Sequence, residues 1–418
     1  MPFILRSSLT RRALLAGTAL TAVTLQGAHA QEGTPDRPPP VPPQATPTGD
    51  AAAGSVFAEM LALAPDVSAL PEQPLQIAEF GDIPAQVAAV GQDQPESGDD
   101  PAFEGWIPAI QWITLPPDVR SRGLLPEFRE LFGFDLFQVD QGLTVGEPPE
   151  TITYLRGRFD ETELRSAWTG AGYQELDEGG ATVFLLAAEP EFDIATPVHQ
   201  MVAGRFNNAT ILADGTIIFA ASLDLVREAL AVANGQSPSL AENDQVAALL
   251  STADHPLAAA IILDGQALQS EAVFNDPRLS PEAVAQVEDE LAQSGEMPPP
   301  RLALFGITPG GPIPPPLNEN YPEATPTAMD NPAVWVIRLL MASPAAAETA
   351  AETIPNRIAT LGSLAMGRPY AEMFTVRRSE ALSDPPAVAL DLDIAAGEVH
   401  PSVWFQSIFK GDLLFLAS

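Results

Sequence analysis

The chain has 418 residues, with 55 Asp and Glu against 20 Lys and Arg, a formal charge of −35, 46% hydrophobic residues and no cysteine. That composition can bury a core and suits two domains or one large one. It excludes disulfides, thiolate metal sites, iron–sulfur clusters, cysteine nucleophiles and a lipid-modified cysteine. The acid excess opposes nucleic-acid phosphate and anionic membrane surfaces alike.

Residues 1–30 read as an export signal. A basic start (Arg6, Arg11, Arg12) precedes an apolar stretch from Ala13 to Leu25, and Ala28-His29-Ala30 supplies the small residues a signal peptidase reads. Thr10-Arg11-Arg12-Ala13-Leu14-Leu15 resembles a twin-arginine export signal, with Leu14 where that family usually has Phe and Ala16 where it often has Lys. The resemblance covers the leader alone and implies an extracytoplasmic location: periplasm, cell wall or medium. The apolar stretch is short of the roughly 20 residues of a spanning helix, so no integral membrane span is expected after cleavage. Cleavage after Ala30 removes three arginines and leaves 17 basic against 55 acidic residues, a charge of −38.

Residues 31–54 form a proline-rich linker (Pro35, Pro38, Pro39, Pro40, Pro42, Pro43, Pro47), stiff and without a core. The folded part is expected to be α+β, as two units, 55–272 and 273–418, each with a mainly antiparallel sheet and packed helices. A helix over Ser55–Ala64, a strand near Leu75–Phe80 and a helix near Pro84–Val90 come first. Phe103, Trp106, Ile110 and Ile113 recur at helical spacing and read as core.

The local grammar is clearest from Thr151. Thr151–Phe159 is a strand. Asp160 caps a helix with Glu163 completing a capping box and Phe159 with Leu164 as a hydrophobic staple. The helix stops at Gly170 and Gly172. Tyr173–Leu176 and Thr182–Leu186 form a hairpin through Gly179-Gly180. A second hairpin joins Thr210–Ala213 to Thr216–Phe219 across Asp214-Gly215, read as a type I′ turn. Ser222 caps a helix from Leu223 to Ala233 that Gly235 ends. A further helix follows near Ala241–Leu250, and Leu257–Leu263 is a strand buried on both faces.

In the second unit, a helix opens at Ser280-Pro281 and a strand spans Arg301–Ile307. Residues 309–332 are a long loop with eight prolines, read as a tolerated insertion, with a lid carrying Leu317, Tyr321 and Met329 as the alternative. Ala333–Leu340 is a strand, Ala345–Leu361 a helix disturbed at Pro355, Met373–Ala381 with Ala387–Ile394 a hairpin, and Val403–Phe409 a last helix. Strand–helix–strand–strand thus occurs near 151–187 and again near 333–394. The residues show no self-similarity, so a duplicated unit is an expectation about topology only.

No motif assigns a catalytic, cofactor-binding or metal-ligating residue. His199, His255 and His400 are scattered without ligand spacing, and both Gly-x-Ser-x-Gly and a phosphate-cradling loop are missing. Asp391-Leu392-Asp393 places two carboxylates on one strand face, with Glu398 beyond. Asp99-Asp100 with Glu104 is a second acidic group. Either has the oxygen ligands of a calcium site, or is a solvated face. Of Arg377-Arg378, strand alternation turns at most one inward, beside a carboxylate as an ion pair. Three functional readings stay open, the last two as alternatives to the first. One is an exported non-enzymatic protein binding an unidentified extracellular ligand or protein partner. The second is an extracytoplasmic hydrolase of glycan type using paired carboxylates, and the third a structural envelope protein.

Overall fold

The computed structural model describes residues 55–67, 75–190, 192–269, 281–311, 332–395 and 402–418. Residues 1–54, read above as a signal peptide and a linker, residues 312–331 of the proline-rich loop, Glu398 and His400 lie outside the described residues.

The first half begins with helix α1 (Ser55–Leu61), strand β1 (Gln76–Asp82) and helices α2 (Ile83–Ala89), α3 (Phe103–Ile110), α4 (Pro117–Arg122) and α5 (Pro126–Phe132). Three of these helices carry Pro at one of their first two positions, where its missing N–H leaves no bond unmade. The hairpin of β2 (Val139–Glu147) and β3 (Glu150–Gly157) follows, then α6 (Glu161–Gly170), β4 (Gln174–Glu178), β5 (Ala181–Leu185), α7 (Pro197–Val202), β6 (Asn208–Ile211), β7 (Ile217–Ala220), α8 (Leu223–Ala233) and α9 (Asp244–Ser251). The second half runs β8 (Ala259–Asp264), α10 (Pro281–Ser294), β9 (Leu302–Ile307), β10 (Val334–Leu340), α11 (Pro344–Thr360), the short pair β11 (Gly362–Ser363) and β12 (Arg368–Pro369), α12 (Tyr370–Met373), β13 (Phe374–Ser383), β14 (Pro386–Ile394) and α13 (Val403–Phe409).

The α+β class is as expected, but the strands expected in two sheets join into one. Twelve strands run β13-β14-β10-β9-β8-β1-β2-β3-β7-β6-β5-β4, every neighbour antiparallel. The joint is β1 against β8, with Phe80 opposite Ala260. Neither strand could end a sheet, because Ala78, Phe80, Ala260 and Ile262 on one face and Ile261 on the other are all buried. Exposing such an edge would leave apolar residues and unpaired backbone groups in water.

About that joint the connectivity is mirrored. The meanders β1-β2-β3 and β8-β9-β10 run outward from it, a helix follows the third strand of each (α6 and α11), and the chain returns to lay β7 on β3 and β14 on β10. The recurring strand–helix–strand–strand order is present as β3-α6-β4-β5 and, with β11, β12 and α12 inserted after the helix, as β10-α11-β13-β14. The halves differ in the return: four strands in the first, two in the second.

Helices cover both faces. One face packs Trp106, Phe128, Phe132, Trp168, Ile354, Ile358 and Trp404 against Phe219, Phe305 and Trp335. The other packs Phe57, Met60, Val226, Val246 and Leu249 against Phe80, Tyr154 and Val336. The Phe103–Ile113 stripe is therefore core on the first face, with Phe103 at its margin.

Several local expectations hold in detail. Asp160 accepts hydrogen bonds from the backbone of Thr162 (2.8 Å) and Glu163 (3.1 Å) at the start of α6. Glu163, expected to close a capping box, stands 3.7 Å from Arg129. Ser222 caps α8 through the Leu225 N–H (3.3 Å), and α11 continues through Pro355 because Ala347, Ala350, Ile354 and Ile358 bury one side of it. The Asp214-Gly215 turn is of a different type from that expected. Gly215 has φ +86° but Asp214 stays at negative φ, and Leu212 accepts from Gly215 while donating to Thr216. This is a three-residue loop with a glycine bulge, which a type I′ pair would not leave room for.

Candidate functional site

The polar residues that the structure gathers most tightly lie where α9, β10, β13 and β14 meet. Arg338 stands in the middle of the apolar strand Val334–Leu340, on the same face as Val336 and Leu340, and is 0% exposed. Its Nε donates to the carbonyl of Thr252 just past α9 (2.8 Å), a favourable place for a cation at a helix C-terminus. Its Nη1 donates to Asp391 (2.8 Å) and to the carbonyls of Ile337 and Leu390, and its Nη2 to Asp254. Arg378 donates to the other oxygen of Asp254 and to Glu380. His255 completes the group, its Nε2 3.5 Å from Asp391 and 3.6 Å from Asp254.

A bulge in β13 brings both neighbouring arginines to this face. Pairing with β14 shifts between Val376 and Arg378, so Arg377 is the extra residue and reaches Asp393 while Arg378 reaches Asp254. The expectation that at most one of the two turns inward holds: Arg377 stays exposed and pairs with Asp393 at the margin, while Arg378 is half-buried beside Asp254.

The electrostatics of this group are those of a closed clamp. Two guanidiniums face three carboxylates, Asp254, Asp391 and the exposed Glu380. Burial would raise the proton affinity of Asp254, but the hydrogen bonds from Arg338 and Arg378 outweigh it and hold its pKa down to about 2. An Asp so placed stays ionised and cannot donate a proton.

The calcium reading of Asp391 and Asp393 meets the same obstacle, since each carboxylate is engaged by an arginine. In the other acidic group, both oxygens of Asp100 accept backbone N–H bonds, from Ala102 (2.9 Å) and Glu96 (3.1 Å), which holds its carboxyl below the usual range. Among the described residues no three His, Asp or Glu side chains are arranged to hold a metal. His199 is buried on α7, its Nδ1 accepting from the Asp193 N–H at 2.8 Å.

A second buried charge sits at the sheet centre. Glu79 of β1 is 1% exposed, opposite Thr144 and Ile261. Burial raises its pKa, and the charge of Arg120 with a 3.3 Å hydrogen bond from Gln76 only partly reverses this. Next to it the sheet is bare for a reason. A Cβ on Gly81 would lie 1.7 Å from the Thr114 carbonyl and one on Gly142 2.5 Å from Pro116, so these glycines let residues 114–116 lie on the strands and bring in α4 with Arg120.

No family model, curated protein or solved structure matches this chain. The geometry must speak alone. A surface hollow of about 600 Å³ on the outer side of α6 is lined by Glu161, Thr162, Arg165, Ser166, Thr169 and Gly170, none of them from either buried group.

The structure thus joins His255, Arg378 and Asp391, all singled out in the sequence, with Arg338 and Asp254, which were not. Asp393 with Arg377 stands at the margin. A charged residue inside Val-Trp-Val-Ile-Arg-Leu-Leu, like Glu79 inside Gln-Ile-Ala-Glu-Phe, was the available signal: each interrupts an otherwise buried strand.

Proposed function

We propose that this chain is an exported protein that acts by binding through its surface and not by catalysis. Export rests on the twin-arginine-like leader with its Ala-x-Ala end, and an extracytoplasmic site of action follows from it. The observation that supports the non-catalytic reading is the clamp itself: its carboxylates are held by arginine as structural ion pairs, which leaves Asp254 no proton to give as a general acid. The clamp fastens the α9–β8 turn to β10, β13 and β14, and so serves rigidity. The high negative charge keeps the protein soluble and favours cationic partners by long-range attraction.

The test has two arms. In the native host, mass spectrometry of the extracytoplasmic fraction should find the mature N-terminus at Gln31, and replacing Arg11 and Arg12 by Lys should stop export by the twin-arginine route. The purified mature chain should leave cell-wall glycan and soluble polysaccharide uncleaved. Hydrolysis that Asp391→Asn abolishes while the fold survives would establish the hydrolase instead.

A further inference from the structure

Among the described residues, five large apolar side chains stand well out into solvent, and the two most exposed share one loop: Phe192 at 61% and Ile194 at 72%. The loop joins β5 to α7. Exposed loop tips are ordinarily polar and loosely held. This one is tied on both sides of the exposed pair. Leu186 donates to the Asn207 carbonyl (2.8 Å), Asn208 to the Ala187 carbonyl (3.0 Å) and Leu223 to the Ala188 carbonyl (2.9 Å). Around the two apolar residues, the Asp193 N–H donates to His199 Nδ1 (2.8 Å), the Asp193 carboxylate receives the Ala195 N–H (2.9 Å), and Gln200 Nε2 donates to the Ile194 carbonyl (2.6 Å).

The Phe192 ring stands 6.4 Å from the ring of buried His199, centroid to centroid, and is held outward from there. Rigid apolar anchors set in advance are what protein interfaces use, because little ordering remains to be done on association. The charge on and around the loop selects the occupant. Exposed Asp193 lies between the two side chains and exposed Glu189 precedes them, and the chain as a whole carries −35. That field repels a second copy of the chain and an anionic lipid surface, and attracts a cationic protein.

We propose that Phe192 and Ile194 form a docking knuckle for a cationic partner protein that offers an apolar surface rimmed by Lys or Arg. This rests on the surface-binding reading and names its contact. The probe is a synthetic amphipathic helical peptide of Lys and Leu, titrated against the full mature chain at about 0.15 and about 0.5 M salt, the higher concentration screening the general attraction of an acidic surface. Phe192→Ser with Ile194→Ser is compared with Leu364→Ser and Met366→Ser, a second exposed apolar pair at 41% each. The knuckle variant should lose about ten-fold or more in affinity at the higher salt, and the control pair should bind as wild type. A photo-reactive benzoylphenylalanine at position 192 should cross-link the peptide, giving a readout with the loop otherwise intact. Affinity of the knuckle variant within about two-fold of wild type, or an equal loss in the control pair, overturns the proposal. Neither result touches the hydrolysis assay, so the knuckle can fail while the non-catalytic reading stands.

Discussion

Glu79 and Arg338 are two buried charges in one sheet, three strands apart and on opposite faces, and they are accommodated in opposite ways. Arg338 is surrounded by acceptors, two of them carboxylates, and keeps its charge. Glu79 has one hydrogen bond to Oε2 and none to Oε1, so burial drives it toward its neutral, protonated form. The supply of counter-charge decides, and not the depth of burial: a buried carboxyl with too little counter-charge has its proton affinity raised, whereas an arginine must be paired.

The sharpest way to break this comparison is to remove Arg338. Arg338→Ala leaves Asp391 buried without its counter-charge and should cost about 3–5 kcal/mol in a denaturant titration. A loss under about 1 kcal/mol would mean that the clamp is not a paired buried charge in the sense used here. Glu79→Gln should do the reverse. At pH 8 it removes the cost of an ionised or proton-binding carboxyl in the core and should raise the urea midpoint, by about 1–3 kcal/mol of stability, with an unchanged slope. Near pH 4 the two proteins should converge.

Asp160→Ala calibrates both, since this carboxylate is exposed and caps α6. Its loss should lower stability by about 0.5–2 kcal/mol without changing the pH dependence contributed by either buried group. The smallest expected effect is the acid limb of Asp254, half exposed. Its folded pKa of about 2 lies below its ordinary value of 3.8, so its stabilisation is present above pH 4 and is lost as pH falls toward 2. Glu79 has the opposite sign: its folded pKa is raised above 4.5, so stability falls as pH rises from 4.5 through the folded value. Asp254→Asn should flatten the first limb and Glu79→Gln the second, as followed by thermal melts across pH.

The local elements were legible because their signals are local. Asp160, Ser222 and Gly235 mark helix ends by groups within three or four residues, and α8 and α13 have the expected bounds. Strand β2 escaped notice because Gly142 and Gly146 interrupt its pattern, and the need for Gly142 comes from Pro116, a distant residue. The single sheet escaped for the same reason: an apolar strand reports that it has neighbours, but not which ones. At the candidate site, Asp391, His255 and the two arginines could be noticed singly. Their assembly depended on the β13 bulge and on Thr252 and Asp254 arriving from the end of α9, neither of which leaves a mark in spacing.

The seam between β1 and β8 also orders events in time. Phe80 finds one partner in Leu143 and the other in Ala260, so β1 stays half paired until most of the chain has been made. Contacts so distant along the chain make folding slow. Until β8 arrives, one side of β1 is an open template for other strands, a condition that invites aggregation during synthesis. A chain truncated before residue 259 should therefore need a chaperone to remain soluble, whatever the quality of its own first half.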